Sequence, residues 1–210
     1  YKRQGQDNVA VGHSAMGNNL GSNNTAIGRN TMNANTTGSA NTAVGISSAQ
    51  SNTIGVNLTS VGANSLYSNT TGNDNVAIGH SALYSNTTGS ANVAIGKNSL
   101  GANTTGSANT GLGHYAGQGN IAGNDNTAVG YFSLFNNTAG ENTGVGSYAL
   151  NSNTTGTANV AVGRATLYQN TIGVNNTSMG YYALGSNTTG GYNTAIGCQA
   201  LNLNATGTNN

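Results

Sequence analysis

Reactive side chains are few in this sequence and lie far apart. Four acids (Asp7, Asp74, Asp125, Glu141), three histidines (His13, His80, His114) and one cysteine (Cys198) are all that a hydrolytic or metal-assisted reaction could use. Acid–base work by two carboxylates needs the pair within about 5–10 Å, and a zinc site needs three or four ligands converging on one point. Neither constellation is spelled out, and the Asn-Asp-Asn tripeptides at 73–75 and 124–126 lack the aspartate in every copy that a calcium-binding repeat carries. The expectation is a protein that is not an enzyme and uses no cofactor or metal. Rings are what the sequence concentrates instead. Tyr115, Tyr131, Phe132, Phe135, Tyr148, Tyr181 and Tyr182 fall close together, with His114 and Arg164 among them. Aromatic planes beside hydrogen-bond donors suit the faces of sugars, so these seven rings are the candidate ligand-binding set.

Their spacing points to what positions them. A glycine recurs at Gly12, Gly28, Gly45, Gly62, Gly79, Gly96, Gly113, Gly130, Gly146, Gly163, Gly180 and Gly197, in steps of seventeen residues with two of sixteen. A second glycine follows ten residues after the first, from Gly38 to Gly207. A fixed short period is the mark of a stacked-repeat architecture.

Counting from the leading asparagine, position 2 is always Val or Thr, position 3 small, position 4 apolar and position 5 the first glycine. That reads as a short strand and a turn. Position 8 is small, position 9 is Leu or Met in ten copies, and asparagine returns at position 12 before Thr-Thr-Gly. This half reads as a second strand, since Gly, Asn and Thr make poor helices.

The predicted fold is all-β: a parallel β-solenoid of about twelve seventeen-residue turns with two short strands each. Ladders about 4.8 Å apart would give a rod roughly 58 Å long. Positions 2, 4 and 9 are expected to fill the core, and the asparagines of positions 1 and 12 to chain their amides from turn to turn. The variable positions 6, 7 and 10, which carry the rings, face outward. So thin a core, with small residues at positions 3 and 8, favours close packing between chains and hence an oligomer.

The start Tyr1-Lys-Arg-Gln-Gly looks like a basic arm, yet Gly5 falls where the second glycine of a preceding repeat belongs. Residues 1–210 thus read as a single array that begins and ends in mid-repeat, a section of a longer fibre or a subunit that stacks end to end. Charged residues are 4% of the chain and the formal net charge is +1, which gives no field for nucleic acid. No apolar run approaches the roughly eighteen residues of a membrane span. Cys198 has no partner for a disulfide within the chain. Asn-Thr-Thr at Asn35, Asn69, Asn86, Asn103, Asn153 and Asn187 fits the N-glycosylation pattern, but those asparagines are also the ones a ladder wants.

At Asn75-Val-Ala-Ile-Gly-His-Ser-Ala82, Asn92-Val-Ala-Ile-Gly96 and Asn193-Thr-Ala-Ile-Gly-Cys-Gln-Ala200 the chain resembles the head repeats of YadA-type trimeric autotransporter adhesins. The longer form ending Ala-Leu-Tyr-Ser-Asn-Thr-Thr-Gly (82–89) resembles repeats of bacteriophage tail fibres and large bacterial surface proteins. The resemblance implies a left-handed β-roll in a three-fold bundle, extracellular, serving as an adhesive or spacer segment of a virion fibre, cell-surface adhesin or filament. Its partners would be copies of itself and a cell-surface glycan or receptor. The alternative expectation is an ice-binding solenoid using the threonine row Thr36, Thr53, Thr70, Thr87 and Thr104.

Overall fold

The computed structural model describes residues 5–210; Lys2 and Arg3, read above as an arm, lie outside them. Twelve three-residue strands mark the turns: β1 (Val9–Val11), β2 (Thr25–Ile27), β3 (Thr42–Val44), β4 (Thr59–Val61), β5 (Val76–Ile78), β6 (Val93–Ile95), β7 (Thr110–Leu112), β8 (Thr127–Val129), β9 (Thr143–Val145), β10 (Val160–Val162), β11 (Thr177–Met179) and β12 (Thr194–Ile196). They form one parallel sheet in chain order. Register never slips: Val76, Ala77 and Ile78 face Val93, Ala94 and Ile95, and Thr127 faces Thr143 across a sixteen-residue step. Each circuit advances the chain by one repeat, which makes the fold a parallel β-solenoid.

Among the described residues no second strand per turn is formed. Residues at positions 7 and 9 take left-handed dihedrals, as in Ser81 (φ 56°) and Leu83 (φ 49°), and position 17 adds a third, as in Asp74 (φ 57°). A left-handed residue reverses the local course of the chain, so no extended run survives between positions 6 and 12. Rungs persist without it: Leu83 N–H donates to Ser99 O at 3.0 Å and Ser85 N–H to Gly101 O at 3.1 Å. Closing a seventeen-residue circuit that has one short flat side demands such sharp corners. Asn and Asp, which tolerate this conformation best after glycine, recur at positions 7 and 17.

The strand also faces the other way from expectation. Position 3 is buried throughout β2 to β12, whereas positions 2 and 4 lie on the outside, with Ile78 38% and Ile95 36% exposed. A three-residue strand puts one side chain on one face and two on the other. The interior admits only the one, and only a small one. At Gly111 even a Cβ would come within 2.4 Å of Ser99 Oγ. The core is therefore a column of Ala at position 3, small residues at position 8 and the leucines of position 9, from Leu66 to Leu184. Buried hydroxyls there pair with one another, as Ser48 with Ser60 and Thr166 with Ser178, each at 2.7 Å.

After Met32 and the leucines, the largest fully buried side chains are asparagines. At position 12, Asn86 Nδ2 donates to Asn69 Oδ1 (2.8 Å) and to Gly89 O (2.9 Å), and Asn86 Oδ1 accepts from Asn103 Nδ2 (2.9 Å). At position 1, Asn92 Nδ2 reaches Gly106 O at 2.9 Å, while its Oδ1 accepts the main-chain N–H of Asn109 at 3.0 Å. The expected amide columns are present, and most amides bridge successive turns; Leu58 interrupts the column at position 1.

One step interrupts this order. Both sixteen-residue turns lose their residue from the Thr-Thr segment, leaving Leu20 or Thr138 alone. At the second, Asn137 turns its amide to Ala139 O (2.7 Å), and the buried Asn120 Oδ1 is left without a partner. The position-13 rung that joins Thr87 N–H to Thr104 O has no counterpart from Ile121 to Thr138. Gly117 stands where a leucine belongs in the turn before, and the buried apolar side chains divide one step earlier, into one cluster ending at Leu100 and another beginning at Ala116. Hydrogen exchange should find the Ile121 amide unprotected while Thr104 N–H, bonded to Ile121 O at 2.8 Å, is protected. Equal protection would show that the step is closed in solution.

Candidate ligand-contacting face

Positions 6, 7 and 10 follow the corner glycine and line one side of the column. In the first six turns position 7 is Ser or Asn, from Ser14 to Asn98; in the last six it is Tyr115, Phe132, Tyr148, Ala165, Tyr182 and Gln199. All twelve are left-handed, with φ between 54° and 57° in the first group and 52° and 60° in the second. The fold thus sets the dihedral, and rings adopt it in the later turns although Asn meets it at lower cost.

Five of the seven candidate rings are brought together. Phe132 sits half-buried at the centre, 5.0 Å from Tyr115, 4.5 Å from Tyr131, 4.6 Å from Phe135 and 5.8 Å from Tyr148 between ring centroids. Tyr131 stands highest, 45% exposed, and meets Tyr148 edge-to-face at 5.5 Å. Tyr181 and Tyr182 form a separate pair at 5.0 Å.

Three neighbours belong to this face beyond the seven. His114 lies 4.3 Å from Tyr115 and 5.6 Å from Tyr131, and Tyr168 meets Tyr148 at 6.2 Å. Arg164 carries its guanidinium 5.6 Å from the centre of the Tyr181 ring and donates from Nη1 to Tyr181 Oη at 3.4 Å. The register that aligns positions 6, 7 and 10 was the available signal for all three. Between the ring cluster and the Tyr181–Tyr182 pair lies a notch of about 210 Å³, lined by Tyr148, Arg164, Ala165, Tyr168 and Tyr182. A second stack, Tyr67 on Tyr84 at 5.1 Å and 9° between planes, stands alone in the earlier turns.

The remaining sequence candidates fall elsewhere. Asp7, Asp74, Asp125 and Glu141 occupy the left-handed corner at position 17, each in its own turn. Among the described residues no group of three or more His, Cys, Asp or Glu is placed to hold a metal ion, and Cys198 is exposed. The six asparagines of Asn-Thr-Thr are fully buried in the position-12 column, so the folded chain offers none of them for glycosylation. Hydroxyls of the threonine row are committed to the backbone: Thr36 Oγ1 donates to Thr53 O at 2.9 Å, and Thr53, Thr70, Thr87 and Thr104 repeat the bond.

Among the described residues no helix is long and apolar enough to cross a membrane. Compared with protein-family models, with curated proteins and with solved structures, the chain matches none.

Proposed function

We propose that this chain is a structural and adhesive segment of an extracellular fibre, in which parallel copies pack sheet against sheet, three to a bundle. The aromatic side then stays outward for a cell-surface glycan. The observation that carries this reading is the outer face of the sheet. Its position-4 column runs Val11, Ile27, Val44, Val61, Ile78, Ile95, Leu112, Val129, Val145, Val162, Met179, Ile196, flanked by Val or Thr at position 2. No charge interrupts it, and Ile27, Ile78, Leu112, Met179 and Ile196 are each more than a third exposed.

An apolar strip of this length on one side of a rod marks an association surface. A second copy is the occupant that fits, because only a partner with the same rise presents an equivalent side chain at every height. Covering each half-exposed Ile or Val adds roughly 1 kcal/mol, and the column repeats the gain at every turn.

Sedimentation equilibrium tests it. The native chain is expected at three times its 20.8 kDa mass. Ile78→Lys/Ile95→Lys, which leaves the interior untouched, is expected to run as a monomer with unchanged circular dichroism. A native monomer would remove the bundle from the reading.

A further inference from the structure

The geometry points to a subsite for an acidic saccharide, a pyranose bearing a carboxylate, in the slot between Tyr148 and Tyr182. This assignment rests on the glycan reading above and names the sugar class that this part of the aromatic face takes. The slot exists because one ring is missing from a column. Position 7 reads Phe132, Tyr148, Ala165, Tyr182 in successive turns, and Ala165 holds the same left-handed dihedral (φ 52°) as the rings on either side. Tyr148 and Tyr182 stand two rungs apart, about 10 Å at sheet spacing, with the buried Ala165 as floor and the ring of Tyr168 on one flank. That separation admits one sugar ring between the two tyrosines, whose aromatic surfaces suit the apolar face of a pyranose.

Charge selects which sugar. Arg164 lines the same slot, and its recorded partners are the hydroxyl and the ring of Tyr181, neither of which neutralises a guanidinium. The four acids of the chain all sit at the position-17 corner, away from positions 6, 7 and 10. A planar fork of donors beside a stacking slot matches a carboxylate on the sugar ring.

Isothermal titration of the native 210-residue chain with trigalacturonate and with its methyl ester separates the two layers of the claim. The acid is expected to bind about tenfold more tightly than the ester at low ionic strength, with the preference shrinking as salt is added. Arg164→Gln should bring the acid down to the level of the ester and leave the ester unchanged. Ala165→Tyr, which restores the side chain that the neighbouring turns carry, should close the slot and abolish the preference.

No preference in the native chain, or a preference that survives Arg164→Gln, overturns the subsite. If the ester still binds and is lost in Tyr131→Ala while Ala165→Tyr changes nothing, the glycan reading stands and the slot falls. If neither sugar binds the native chain, both fall.

Discussion

Gly96→Ala is expected to destabilise the array by roughly 3 kcal/mol or more and to divide its unfolding into two transitions. The corner glycine has φ near +128°, a region closed to residues with a side chain. A Cβ there would also lie 2.5 Å from Gly113 O and 2.7 Å from its carbonyl carbon, both backbone atoms of the next turn. Relief requires moving that turn away, and the turn is held by sheet rungs on both sides. Stability in a stacked array is a sum of local terms and nearest-neighbour couplings, so damage at one interface uncouples the turns before it from those after. Urea unfolding followed by far-UV circular dichroism should show a lower first midpoint and a second transition close to the native one. A single native-like transition would mean that the column absorbs a side chain at this corner.

Asn86→Ala is the second large effect. It removes a side chain that makes three hydrogen bonds inside the buried column. Asn69 Oδ1 is stranded, whereas Gly89 O keeps its bond from Asn75 Nδ2 and the Asn103 amide its bond to Gly106 O. Stranding one buried acceptor costs about 1–3 kcal/mol and losing each of the other two bonds about 1 kcal/mol, so a loss of roughly 3–5 kcal/mol is expected. Asn120 supplies an internal control. Its Oδ1 already lacks a partner, and only its donor bonds to Asn103 Oδ1 (3.0 Å) and Gly123 O (2.9 Å) would be lost. Asn120→Ala should therefore be clearly the milder of the two, by about 1 kcal/mol or more in the same urea experiment. Equal costs would show that the amides act as separate plugs and not as a connected column.

Much of this architecture can be read from the recurrence of glycine and asparagine. The corner glycines, the two amide columns and the in-register parallel strands follow from spacing, because identical turns stacked in phase place like over like. The inward face of the strand does not follow. Val-Ala-Ile at 76–78 admits two readings, and hydrophobicity favours burying Val76 and Ile78 where the fold buries Ala77. What decides is the width of the interior, a property of the closed circuit that no single segment reveals.

The second strand was misread for a related reason. Leu83 gives no sign in its chemistry of a left-handed dihedral, and it holds one only because burial fixes it there. The ring cluster around Phe132 was legible from register, whereas the slot over Ala165 is defined by a side chain that is small where its neighbours are large. Composition-based reasoning passes over such a position.

The interrupted step between the turns 109–125 and 126–141 has a mechanical consequence. Inside, that step lacks an amide bond and a backbone rung that neighbouring steps possess. Outside, the rings of Tyr115 and Phe132, Tyr115 and Phe135, and His114 and Tyr131 cross the same step. A column loaded along its axis is therefore splinted there from its surface. Its compliance at that joint depends on side chains that solvent reaches and that a bound molecule would press upon.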